Sequence, residues 1–136
     1  MGKNNNNRNR VNPQNIDPLS NPKTMEREAL NIFISMSKAN YDIGYVYRMF
    51  SYPQFLQAAI RVASERYIKA EIHRQAVEYA YPNSTDRNVI EVHNADFKCA
   101  MAWKIILDVL TQIQMSGDPT IIYNLHSALG VYKGYL

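Results

Sequence analysis

Between Phe97 and Met115, thirteen of nineteen residues are apolar. A helix with apolar side chains over most of its circumference belongs at the centre of its domain or beneath another chain. Lys104 and Asp108 interrupt the stretch, and such charges are costly inside a bilayer, so no membrane span is expected. The lone cysteine, Cys99, leaves no internal disulfide framework and no cysteine-rich zinc module. The 136 residues suit one domain, organised around this apolar helix.

Proline and glycine divide the rest of the chain into helical segments. Thr24 is the candidate N-cap of the first, with Glu26 and Glu28 favourably placed for the helix dipole. Met25, Ala29, Ile32, Phe33, Met36 and Ala39 recur at helical steps, and Gly44 interrupts the segment. Ser51 and Pro53 open a second helix that runs to about Ala80. Leu56, Ile60, Ala63, Tyr67, Ala70 and Val77 form its seam, broken at Arg74. Residues 81–94 read as a polar break, in which Val89, Ile90 and Val92 make a strand turn or an extra helical turn. Asn94 or Asp96 starts the third helix and Ser116-Gly117 ends it. Asp118-Pro119 then supplies a cap and a first-turn proline for a last helix, with Ile121, Ile122, Leu125 and Leu129 as its stripe. The expected fold class is all-α: a small bundle of about four principal helices over residues 23–136, with an extended arm at 1–22 and a short C-terminal tail.

Charge separates arm from body. The whole chain carries +3, from fifteen basic and twelve acidic residues. Lys3, Arg8 and Arg10 stand against Asp17 within residues 1–22, so the remaining residues hold twelve basic and eleven acidic groups. The body is nearly neutral, which weakens the case for a polyanion-binding face. Eight asparagines and three prolines in the arm, with only Val11, Ile16 and Leu19 as sizeable hydrophobes, cannot build a core. Free in solution the arm should be extended; held by a partner chain, it would lace neighbours together. No apolar stretch follows the basic residues, so it does not read as a secretory signal, and Asn6 fails the myristoylation pattern begun by Gly2.

Two aromatic clusters invite an interface reading. Tyr45, Tyr47, Phe50 and Tyr52 crowd residues 41–52, with Tyr41 and Arg48 beside them. They suit a protein partner, the stacking of nucleobases, or a connector whose rings cover the ends of the core. The terminal VYKGYL adds Tyr132, Tyr135 and Leu136, which either fold back or dock on a neighbour.

Recognisable chemistry is sparse. His73, His93 and His126 lie on different segments, with no histidine pair at four-residue spacing. Glu91, His93, Asp96 and Cys99 are the densest set of potential ligands, yet they read more simply as the polar entrance of a helix. The isolated glycines form no phosphate loop. No enzyme activity, cofactor or metal is expected. Lys3, Arg8 and Arg10 could follow phosphates, with modest salt-sensitive affinity.

The expectation is therefore a non-enzymatic structural subunit of a large assembly. By type, it is similar to the minor virion components of bacteriophage head-to-tail connectors and rings, where small helical bodies carry terminal arms. That comparison is one of architecture, and no residue motif carries it. It implies copies of the same chain and a portal-like or ring protein as partners, in a virion assembled in host cytoplasm. The alternatives are a nucleic-acid-binding packaging or regulatory module and an accessory subunit of a cytoplasmic complex.

Overall fold

Asn21 sits immediately before Pro22, and a residue preceding proline is pushed into extended backbone. Its φ and ψ of −162° and 165° suit an N-cap, and its side chain accepts the Thr24 N–H at 2.9 Å. In the computed structural model, which describes residues 17–136, α1 therefore runs Pro22–Ser37. Thr24, the expected cap, lies inside the first turn and donates its hydroxyl to Asn21. The helix also ends earlier than Gly44. Ala39 takes a left-handed φ of 55° and is exposed, so it does not extend the buried stripe.

Gly44 instead lies in the first turn of α2 (Ile43–Phe50), where Asp42 accepts the Tyr45 N–H. The aromatic connector is thus a helix, and Val46, Met49 and Phe50 face the core. α3 occupies Pro53–Ala80, matching the bounds read from the sequence. α4 spans Arg87–Ser116 and starts about two turns before the expected Asn94 or Asp96. Asp86 is the actual cap, accepting the Asn88 N–H at 2.8 Å. Val89, His93, Asp96 and Ala100 fall at three- and four-residue steps in one unbroken frame. The polar break shrinks to residues 81–86.

Gly117 ends α4 with a φ of 72°, a conformation that glycine adopts without strain. The segment expected as a last α-helix is mainly 3-10: Pro119–Asn124, then one short helix, α5 (Leu125–Leu129), then a 3-10 stretch at Gly130–Tyr135. Three-residue periodicity stacks residues at that spacing, and it brings Ile122 and Leu125 inward together, both fully buried. Gly130 then changes the chain's direction with a φ of 52° and a ψ of −124°. All of the described regular structure is helical, as an all-α bundle requires.

The core gathers α1, α2, the first half of α3, the second half of α4 and the C-terminal elements. Its aromatic spine runs Trp103–Phe33–Phe50–Phe55, with successive ring centroids 6.0, 6.2 and 5.2 Å apart. Trp103 and Phe33 meet edge to face, as do Phe50 and Phe55, the arrangement favoured by the ring quadrupole. Against this spine Ala58, Ala59 and Ala63 are fully buried, so small side chains admit the neighbouring helices closely. His126 Nδ1 lies 3.0 Å from the Met36 carbonyl and ties α5 to the end of α1.

The C-terminal tail folds back. Tyr132 and Leu136 pack half-buried against the core, and Lys98 sits 5.3 Å from the centroid of the Tyr135 ring. In the isolated chain the tail covers its own domain, the first of the two arrangements expected for it. The Gly130–Tyr135 stretch packs chiefly on α4, while Val131 stays exposed.

Candidate functional site

α3 and α4 are long enough to run past the rest of the bundle. Their rise of about 1.5 Å per residue makes each roughly 40 Å long. Beyond Ala70 on α3 and before Ala100 on α4, no residue of either helix is buried. Residues 71–99 therefore form a bare helical hairpin standing on a packed base. Val77 and Val89 meet half-buried between the helices, but other apolar side chains point outward: Ile72 is 62% exposed, Tyr79 90%, Tyr81 58% and Phe97 45%. Ile90 and Val92 add to the exposed set.

Few polar contacts join the two helices of the hairpin. His73 Nδ1 on α3 lies 2.6 Å from Asp96 Oδ2 on α4. His93 Nε2 on α4 lies 3.7 Å from Glu78 Oε2 on α3, too far for a good hydrogen bond, and is itself without a hydrogen-bond partner. Along α3, Arg74 reaches back to Glu71 at 2.9 Å and forward to Glu78 at 3.3 Å. The Arg74 hydrogen bond is the main reason that the Glu71 carboxyl titrates below its ordinary range. Exposed pairs of this kind each contribute only about 0.3–0.5 kcal/mol. Hydrophobic burial, the usual source of helical stability, is largely missing here.

The depression near the hairpin tip, lined by Val77, Tyr81, Val89 and Ile90 with Glu78 and His93, holds about 190 Å³. Small-molecule sites usually begin near about 300 Å³. A second groove, of about 320 Å³, has Arg66, Lys69 and the His73–Asp96 pair around Cys99, Trp103 and Leu136. Burial, with the nearby Asp96 charge, pushes the Cys99 thiol up, which is the reverse of what a nucleophilic cysteine needs. Among the described residues, no set of three or more His, Cys, Asp or Glu side chains is placed to share a metal ion. Also among the described residues, no helix is long and apolar enough to cross a membrane.

The residues singled out in the sequence do not form one patch. Lys3, Arg8, Arg10, Val11 and Ile16 lie outside the described residues. Leu19 packs half-buried against the core. Phe50 is only 2% exposed, between Phe33 and Phe55, so it belongs to the core and is corrected as an interface residue. Tyr45 is half-buried, its hydroxyl donating to Glu28 at 3.0 Å while Arg48 lies over its ring. Tyr47 and Tyr52 remain exposed on the surface of the bundle, Tyr47 beside Tyr123 with ring centroids 6.4 Å apart. Tyr132, Tyr135 and Leu136 form the folded-back tail.

Sequence reasoning missed the hairpin because it ended the polar break too late. The available signal was Val89, Ile90 and Val92, three apolar residues that continue the α4 frame. The chain matches no protein-family model, no curated protein and no solved structure.

Proposed function

We propose that the chain is a non-enzymatic structural subunit of a large protein assembly, with the bare hairpin as its principal contact with another protein. One observation carries this reading: two long helices leave the core together while Tyr81, Ile90, Val92 and Phe97 stay exposed. A two-helix projection with outward apolar side chains gains stability when another surface covers it. The minor virion components of bacteriophage connectors and rings remain the architecture it resembles by type. There the partners would be copies of the chain and a portal-like ring protein, and the location a virion. An accessory role in a cellular complex would use the same face.

A nucleic-acid module is the second reading. Lys23, Arg27 and Arg66 line one groove beside the start of α1, where the basic arm joins the body. Glu26 and Glu65 line the same groove, and their charges offset the attraction for phosphates. The protein-assembly reading is therefore preferred.

The test is a Tyr81→Ser, Ile90→Ser, Phe97→Ser variant, checked first by circular dichroism. Sedimentation velocity over a wide concentration series, alone and with a portal-type ring, should show assembly for the parent chain and its loss in the variant. A parent chain that stays monomeric in every mixture, or a variant that assembles equally well, sinks the reading. Salt-dependent binding to duplex DNA that disappears with residues 1–16 would favour the second one.

A further inference from the structure

α3 and α4 each turn one edge toward the groove of about 320 Å³. On α3 that edge is Arg66, Lys69, Ala70 and His73, which recur at helical steps along one face. On α4 it is Asp96, Cys99 and Trp103, again at helical steps. Leu136 of the folded-back tail lines the groove too. Ala70 and Trp103 are buried, and Cys99 and Leu136 are half-buried, so the floor is apolar.

The rim is basic. Arg66 and Lys69 are exposed, and among the described residues neither forms an ion pair. Arg66 also borders the groove beneath α1, with Glu26 and Glu65, and pairs with neither. Its charge is felt inside: burial chiefly pushes the Cys99 thiol up, and Arg66 pulls it back. Among the described lining residues Asp96 is the single acid, and its Oδ2 is engaged by His73 Nδ1 at 2.6 Å. The Asp96 side chain is only 20% exposed. Two cations over an apolar floor thus stand against one engaged carboxylate. An apolar lining with a few convergent polar groups is the usual make-up of a small-molecule site, and the volume reaches the lower end of their range.

We propose that this groove binds a small organic carboxylate with an apolar body. Arg66 and Lys69 donate to the carboxylate, while the body lies on Ala70, Cys99 and Leu136 over the edge of Trp103. The guanidinium presents a planar fork that matches a carboxylate, and the ammonium adds a point charge. His73, by holding Asp96, keeps that acid from taking the two cations. This inference goes beyond the assembly reading, because Tyr81, Ile90 and Phe97 lie outside the groove.

Cys99 and Trp103 are the chain's only cysteine and tryptophan, so both report on the groove directly. Octanoate, octanol and acetate are titrated into the full-length chain, following Trp103 emission and the alkylation of Cys99 by iodoacetamide. Octanoate should slow the alkylation and shift the emission with one saturation constant, in the millimolar range or tighter. Octanol lacks the charge and acetate lacks the body, and each should bind at least about tenfold more weakly. Arg66→Gln with Lys69→Gln, both at exposed positions, should weaken octanoate by about tenfold or more, with circular dichroism and melting as in the parent. Protection is compared as a ratio within each variant, because loss of the Arg66 charge changes thiol reactivity by itself. Equal affinity for octanoate and octanol would overturn the proposal. So would an unchanged constant in the double variant, or no response up to about 10 mM octanoate. A tripeptide amide with one glutamate between two leucines that binds about tenfold tighter than octanoate would overturn it too, by giving the groove to a partner's acidic segment.

Discussion

Phe50 and Tyr52 stand two residues apart in the same aromatic cluster and have different surroundings. Phe50 fills the space between Phe33 and Phe55, whereas Tyr52 caps the start of α3 at the surface. Phe50→Ala should cost about 3–5 kcal/mol in urea unfolding, as for other large-to-small changes in a packed core. Tyr52→Ala should stay within about 1 kcal/mol. Equal costs would mean that the cluster is a surface. Tyr45 has a different signature. Burial first, and then the charge and hydrogen bond of Glu28, push its pKa from 10.0 up to about 12. The folded protein then keeps the proton that the unfolded chain loses, so this contribution is intact below about pH 10 and stability falls as pH rises toward 12. Tyr45→Phe should remove that part of the alkaline fall in a series of urea titrations. It should also lower neutral-pH stability by about 1 kcal/mol, through loss of the bond to Glu28.

Helix existence was legible at the element scale, and helix ends were not. α3 has the bounds expected because Pro53 fixes its start and Tyr81-Pro82 its end. α4 outran its expected start because Asn94 and Asp96 look like caps in a linear reading. In the folded chain Asp96 faces His73 across the hairpin, and Asp86 performs the capping. The extra turns gain little burial. Amide hydrogens of residues 74–78 and 90–96 should exchange at least about a hundredfold faster than those of residues 55–63 and 103–110, since local opening follows contact density. Exchange measured by mass spectrometry checks this on the full-length chain. Uniform protection would mean that the hairpin unfolds only with the whole domain. If a partner covers the hairpin, the difference should narrow in the complex.

For the whole molecule, the tail decides between two uses of the same residues. Tyr132 and Leu136 are half-buried on their own domain, and Lys98 approaches Tyr135. Removal of residues 131–136 should therefore destabilise the isolated chain by about 2 kcal/mol, from lost apolar burial. A tail meant for a neighbour would leave the monomer's urea midpoint unchanged. The sequence by itself determined that the body is helical, that one central helix is mostly apolar, and that much of the net charge lies in the arm. Those properties follow from periodicity, proline and glycine placement and composition, which act locally. Only the tertiary structure decided that Phe50 is core, that the tail folds back, and that α3 and α4 outgrow the bundle they share. A buried ring and an exposed one can have the same neighbours in sequence; burial depends on which distant helices arrive. Past Ala70 and before Ala100 little but the C-terminal tail arrives, so a long stretch of well-formed helix is left with outward-facing apolar side chains.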